Sequence, residues 1–284
     1  MDLTVSINKT AKNLLFLQKF DQEPKNMKTV IFAGGLGTRI SEESYLRPKP
    51  MIEIGEKPIL WHLMKIFEAQ GFNDFIICLG YKGFMIKQYF MHYYMYNSDV
   101  TFNLQTNSFE VHQSNTEKFR VTLVETGLNT QTAGRLKRVQ QYIGKEEFML
   151  TYGDGLADVN LNELIEFHRS HGKIATMTSV QPAGRFGLLG MDKTGQVTSF
   201  QEKPSNGGWI NGGFFVLKPD VFSYLPDDAD AKMWEQDPID NLTRDGQLIA
   251  YKHHGFWKCM DALRDKEELE RLWQSGRAQW KIWE

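Results

Sequence analysis

Two groups of residues have the types and spacing to do chemistry on phosphates. The first is Ala33-Gly34-Gly35-Leu36-Gly37-Thr38-Arg39, followed closely by Arg47-Pro48-Lys49-Pro50. It comes directly after Thr29-Val30-Ile31-Phe32, an apolar run that reads as a buried strand. Three glycines in four positions let the backbone turn tightly and approach a ligand with no Cβ atoms in the way. N–H groups exposed in such a loop can cradle phosphate oxygens. Arg39 and Lys49 add two full positive charges beside it. For the glycines alone, an ordinary strand-ending turn is the plainer account. The second group is Tyr152-Gly153-Asp154-Gly155, straight after the buried run Phe148-Met149-Leu150-Thr151. In a parallel sheet, ligands bind at the carboxyl ends of strands. An aspartate between glycines is also a common turn former, so residue type leaves both roles open for Asp154.

Other candidates are weaker one by one. Asp261, in Trp257-Lys258-Cys259-Met260-Asp261, reads by itself as an N-cap for the charged helix that follows. Glu202-Lys203-Pro204 ends a strand, where an isolated Glu-Lys pair is usually solvated surface. Asn211, before Gly212-Gly213, offers an amide that both donates and accepts, suited to hydroxyl groups or to a turn. Arg185 stands before Phe186-Gly187. His253-His254 is the only histidine pair and has no Cys or His placed to complete a zinc site, so it reads as a surface strand end. No Ser-His-Asp or Cys-His arrangement stands out.

The rest of the chain must hold these residues. Its 284 residues are enough for one large core or two modest ones. With 41% hydrophobic and 24% charged residues it reads as an ordinary soluble globular protein. A net charge of −2 gives no bulk electrostatic case for nucleic acid or an acidic membrane, so any anion site must be local. Cys78 and Cys259, far apart, read as reduced residues of a cytoplasmic protein. The run Leu14-Leu15-Phe16-Leu17 is too short for a signal-peptide core or a membrane span. Residues 1–26 are polar and lysine-rich, and read as a tail or short appended helix upstream of an alternative start at Met27.

From Lys28 strands and helices alternate. Met51–Ile54 reads as a short strand, and Pro58 marks the start of an amphipathic helix through Ile59, Leu60, Leu63, Met64 and Phe67. Phe75–Leu79 is a buried strand and Lys82–Phe90 a helix. Residues 91–120 break the rhythm. Met91, Tyr93, Tyr94, Met95 and Tyr96 precede two alternating runs, Thr101–Gln105 and Phe109–Gln113, which predict an inserted hairpin or flap. Local packing accounts for most of these aromatic side chains, and a contact between copies of the chain is the second reading. Strands are then expected at Arg120–Glu125, Phe148–Tyr152, Lys173–Val180 and Trp209–Leu217, the last interrupted at Gly212-Gly213. Helices are expected at Arg135–Ile143, Leu161–His171 and Leu263–Trp273, and a hairpin turn at residues 192–195. The order predicts an α/β fold with a mixed, mostly parallel sheet and helices on both faces. One elaborated domain, residues 27–284, is favoured over two.

The glycine loop with Thr38-Arg39 and the Lys49-Pro50 segment resembles the signature of the sugar-1-phosphate nucleotidylyltransferases. These enzymes join a sugar phosphate to a nucleoside triphosphate and release pyrophosphate. From Met27 to Glu284 the chain is similar to the glucose-1-phosphate cytidylyltransferase branch. Carrying segments include Gly34–Glu43, Lys49–Gly55, Lys57–His62, Gly134–Val139, Thr151–Gly155, Phe200–Pro204 and Met260–Lys266. Ser41-Glu42-Glu43 and Tyr152-Gly153-Asp154-Gly155 look specific to that branch. The resemblance implies a Rossmann-like nucleotidyltransferase domain acting on CTP and glucose 1-phosphate. It implies that Phe32, Ala33, the glycine loop and Lys49 hold the triphosphate, with Thr130, Arg135 and Gly153 at the nucleotide. Arg39, Lys49 and Asp154 are then catalytic, and Arg185, Glu202, Lys203 and Asn211 line the sugar pocket. Bringing two anionic phosphates together calls for a divalent cation. Mg²⁺ commonly takes one or two carboxylates plus substrate phosphates, and the resemblance gives it Asp154 and Asp261. It also places the product, CDP-glucose, in the supply of dideoxysugars for surface polysaccharides. A homo-oligomer is expected, without nucleic-acid or membrane partners. Two rivals stay open: the same chemistry with dTTP or UTP, and a regulatory protein on the same fold that has lost catalysis.

Overall fold

The computed structural model describes residues 27–114, 116–182, 188–191, 196–201 and 208–284. Residues 1–26, Arg185, Glu202, Lys203 and the turn expected at 192–195 lie outside the described residues. In chain order the strands are β1 (Thr29–Phe32), β2 (Glu53–Ile54), β3 (Lys57–Pro58), β4 (Asp74–Leu79), β5 (Ser98–Asn103), β6 (Ser108–Ser114), β7 (Arg120–Glu125), β8 (Phe148–Tyr152), β9 (Gly155–Ala157), β10 (Ala175–Val180), β11 (Leu188–Met191), β12 (Val197–Gln201), β13 (Ile210–Leu217), β14 (Leu248–His253) and β15 (Trp257–Cys259). The α-helices are α1 (Ser41–Ser44), α2 (Ile59–Glu68), α3 (Gly83–Tyr96), α4 (Thr132–Ile143), α5 (Leu161–His171), α6 (Asp237–Arg244) and α7 (Leu263–Gln274).

Seven strands form the central sheet in the order β14-β10-β13-β8-β1-β4-β7. Neighbours run parallel except at β13, which is antiparallel to both β10 and β8. This is the mixed, mostly parallel sheet that the alternation predicts. Both faces are covered, which is why β1 can be apolar without alternation and bury all four residues. Successive residues feed two cores. Ile31, Ile77, Met149 and Val216 join the core of α2, α5 and α7, while Val30, Ile76, Leu150 and Phe215 join that of α4 and α6. Helix α2 buries every residue but Lys65 and Glu68, so it is an internal helix rather than a surface one.

Three expectations shift. The helix expected to stop at Phe90 continues to Tyr96, because no Gly or Pro interrupts it. The aromatic cluster is therefore helical: Tyr93 is buried with its hydroxyl 3.0 Å from Trp61 Nε1, whereas Met91, Tyr94 and Tyr96 face outward. The strand expected at Met51–Ile54 shrinks to β2, because Lys49–Met51 forms a 3-10 turn around Pro50. Helix α4 begins at Thr132, ahead of Arg135. The inserted hairpin is present as β5 and β6, with Phe102 opposite Phe109 and both exposed.

The sheet directions gather the chemistry. β1, β4 and β8 are parallel, so Ala33, Gly80 and Gly153 leave the same edge. β13 runs the other way and starts at that edge, next to Asn211. β9 and β15 pair with Gly155 opposite Cys259, and the Met260 N–H donates to the Asp154 carbonyl at 3.0 Å. That short ladder brings Asp261 back to Asp154.

Candidate active site

The glycine loop is held from below and from one side. Gly37 has φ +66°, in the left-handed region that glycine tolerates without strain. A Cβ there would lie 3.0 Å from Ser44 Cβ and 3.3 Å from Lys49 Cβ, so the turn packs directly onto both. Ser44 Oγ donates to the Gly37 carbonyl at 2.9 Å. Underneath, the buried Arg135 guanidinium donates to the carbonyls of Leu79 (2.9 Å) and Gly34 (3.0 Å) and to Thr126 Oγ1 (2.7 Å). A Cβ on Gly34 would sit 2.1 Å from that guanidinium. Burial pushes the Arg135 pKa down from its ordinary value. The hydrogen bonds make the buried charge tolerable. Arg135 thus spends its donors on oxygens of Gly34, Leu79 and Thr126, and it also lines the cavity.

Four charged groups meet above the loop. Lys49 Nζ is hydrogen-bonded to Asp154 and lies 2.8 Å from Asp261 Oδ1. Arg39 donates to Asp261 Oδ2 at 2.7 Å. The Lys49 side chain is 11% exposed, whereas that of Arg39 is 75% exposed and free to swing toward a ligand. Burial alone would lower the Lys49 pKa, but the charge of Asp154 and the bonds to both carboxylates outweigh it, and the net shift is upward. Burial pushes the Asp261 carboxyl up, yet Lys49 and then Arg39 hold it below its ordinary value. Lys49 is a fixed cation and Asp261 a fixed anion near neutral pH. Helix α7 is capped without Asp261: the buried Asp265 carboxylate accepts from the N–H groups of Asp261 (3.1 Å) and Ala262 (2.9 Å). The N-cap role open to Asp261 in the sequence therefore belongs elsewhere, and its side chain is left for Lys49 and Arg39. Lys266, also on α7, grips Glu43, which ties the Ser41-Glu42-Glu43 segment to the same helix.

Two cavities open on this cluster. One, of about 520 Å³, is walled by Phe32, Ala33, the glycine loop, Lys49, Thr130, Arg135 and Gly153. The other, of about 630 Å³, is walled by Asn211, Gly212, Glu235, Trp257, Cys259 and Asp261. Arg39, Tyr152 and Asp154 belong to both. Both volumes suit small-molecule ligands. Tyr152 divides them, its hydroxyl donating to Glu235, which also accepts from Thr132 Oγ1 at 2.8 Å. Burial first, and then the Glu235 charge, keep that phenol protonated. Asn211 Nδ2 lies 3.2 Å from the Tyr152 hydroxyl, and its Oδ1 accepts from the Gly213 N–H at 2.8 Å.

A family model described as nucleotidyl transferase matches residues 28–261. The chain belongs to the nucleotidyl transferase family. It is 55% identical over 260 residues to the glucose-1-phosphate cytidylyltransferase of Salmonella typhimurium, covering 91% of this chain and 100% of that one. A probable glucose-1-phosphate cytidylyltransferase of Bacillus subtilis is 46% identical, over 90% of this chain and all of that one. Among solved structures, HddC from Yersinia pseudotuberculosis is similar with a TM-score of 0.64 at 25% identity, over 87% of this chain and 99% of that one. A UDP-glucose pyrophosphorylase solved with UDP-glucose shares the fold, with a TM-score of 0.63 at 18% identity over 88% of this chain and 99% of that one. The family and fold expected from the sequence are thus both found.

The constellation gathers most of the residues singled out from sequence. Arg39, Lys49, Asp154 and Asp261 come together directly, Thr130 and Arg135 stand on the first cavity and Asn211 on the second. Glu235 and Cys259 were not anticipated as site residues. Glu235 follows a tryptophan in a stretch with no helical or strand period, so nothing in the sequence distinguishes it from a solvated glutamate. Cys259 carried only a compartment signal. Its place in the site follows from the pairing of β9 with β15.

Proposed function

We propose that the protein transfers a cytidylyl group from CTP to α-D-glucose 1-phosphate, giving CDP-glucose and pyrophosphate. The observation that carries the reading is the pair of cavities meeting at Asp154, Tyr152 and Arg39, with Lys49 at the junction. The names of the relatives from Salmonella typhimurium and Bacillus subtilis support the choice of nucleotide and sugar. The triphosphate is assigned to the cavity of the glycine loop, with Thr130 on its wall and Arg135 holding the loop from beneath. The sugar is assigned to the cavity of Asn211, and the resemblance alone assigns Arg185, Glu202 and Lys203 to the sugar.

In this reading a phosphate oxygen of the sugar phosphate attacks the α-phosphorus in line with the departing pyrophosphate. That oxygen is already ionised, so no general base is required. Lys49 and Arg39 orient the phosphates and offset charge that builds on the leaving oxygens. The donor set fits Mg²⁺, because Asp154 and Asp261 present hard carboxylate oxygens within 4.8 Å of each other, among the described residues. Such an ion, when bound, supplies charge neutralisation between the two phosphates. Asp154→Asn is expected to raise the Mg²⁺ concentration needed for half-maximal activity at least about tenfold, with little change in thermal stability. An unchanged metal titration would return Asp154 to the role of a turn residue.

Residues 27–284 are read as the catalytic unit, and a chain starting at Met27 is expected to remain soluble and active, checked by turnover and melting temperature. Loss of folding would show that residues 1–26 dock onto the body. The exposed Phe102 and Phe109 of the hairpin, with Met91 and Tyr96 of α3, support a homo-oligomer through this face. Two free cysteines, and the lack of any described helix long and apolar enough to cross a membrane, support a cytoplasmic setting. The reaction itself is tested by incubating the protein with CTP, glucose 1-phosphate and Mg²⁺. CDP-glucose and pyrophosphate should appear in equal amounts. Absence of both would leave a binding or regulatory protein.

A further inference from the structure

Cys259 is a site residue to which the proposed reaction gives no role. Its Sγ and a carboxylate oxygen from each of Asp154 and Asp261 all lie within 4.8 Å of one another. The thiol also lines the second cavity, so an ion arriving there meets sulfur and oxygen together. Its position is fixed by backbone, through the pairing of Cys259 with Gly155 in the β9–β15 ladder.

The geometry points to a second use of this cluster: Asp154, Cys259 and Asp261 form a mixed sulfur–oxygen site for thiophilic divalent cations such as Zn²⁺ and Cd²⁺. Hard Mg²⁺ takes oxygen ligands and leaves the neutral thiol aside. Softer ions bind thiolate readily, with metal–sulfur distances of about 2.3 Å and metal–oxygen distances of about 2.0–2.2 Å for zinc. Closing the three donors onto such an ion takes shifts of about an ångström. As the metal–sulfur bond forms, the S–H bond breaks and its proton leaves to solvent. The metal keeps its oxidation state. Lys49, paired with both carboxylates in the free protein, must be displaced. A thiophilic ion so held occupies the carboxylates that the proposed reaction needs, so it inhibits in competition with Mg²⁺.

The inference rests on Asp154 and Asp261 being the cation's carboxylates, and the two can fail separately. The test is a Cd²⁺ titration of the metal-free full-length protein, read by the ultraviolet charge-transfer band of a cadmium–thiolate bond. One equivalent should produce the band in the wild-type chain. Cys259→Ser should abolish it, and Asp261→Asn should weaken Cd²⁺ binding at least about tenfold. Cys78→Ser should leave it, since Cys78 lies within β4 and is wholly buried. Cys259→Ala serves as the second variant should the serine not fold. No band in the wild-type chain, or a band that survives loss of Cys259, overturns the inference whatever the Mg²⁺ dependence of activity. A band that needs Cys259 yet ignores Asp261→Asn overturns this mixed site and leaves the Mg²⁺ assignment to its own titration.

Discussion

Replacing Lys49 with alanine is expected to lower turnover about a hundredfold to a thousandfold, the usual cost of removing one preorganised donor from a developing anion. The Lys49 ammonium is held between two carboxylates, beside the glycine loop. Its side chain is 11% exposed, and the carboxylates of Asp154 and Asp261 hold it charged. It sits beside Gly37, on the wall shared by the glycine loop and Asp154. In the proposed reaction a cation kept in this wall is placed to offset charge that builds toward the leaving pyrophosphate. The fold should tolerate the change. Asp154 and Asp261 both keep some contact with solvent, and Arg39 remains on Asp261. A melting curve close to that of the wild-type chain, with turnover down by those factors, is the expected result. Near-normal turnover in a folded variant would remove Lys49 from the mechanism.

The way this site is assembled explains what the sequence made legible. The glycine loop and Asp154 follow directly on β1 and β8, so strand prediction placed both at one edge of a parallel sheet, whereas Lys49 lies in a 3-10 turn ahead of β2 and reaches them only through packing. The apolar runs at Thr29–Phe32, Asp74–Leu79 and Phe148–Tyr152 are unambiguous because strands covered on both faces carry no polar alternation. Asp261 was different. Its side-chain role depends on the β9–β15 ladder and on Asp265 taking over the cap of α7. A three-residue ladder leaves no periodic trace, and either aspartate has the chemistry to cap a helix. Arg135 carried the same ambiguity in another form. Its spacing places it on α4, but only the packing shows its guanidinium under Gly34 and Gly80. Glu235 becomes visible only once Tyr152 and Thr132 are seen to converge on it.

Nucleotide choice is the property with the largest expected effect. Cytosine presents an exocyclic amine where uracil and thymine present a carbonyl oxygen. A site whose backbone carbonyls accept from that amine meets the other bases with lone-pair repulsion and unpaired polar groups. Rejection of this kind reaches about four to five orders of magnitude when the polar groups are fully buried. In the proposed assignment such a contact falls to the backbone of the glycine loop and to Thr130, which line the first cavity. Arg135 keeps the loop from adapting, since it ties the Gly34 carbonyl from beneath to the end of β4 at Leu79. A rigid loop discriminates where a mobile one would accommodate. The decisive measurement is kcat/KM for CTP, UTP, dTTP and GTP, each with glucose 1-phosphate at saturating Mg²⁺. The cytidylyl reading predicts CTP ahead of UTP and dTTP by several orders of magnitude; UTP or dTTP matching or exceeding CTP would contradict it.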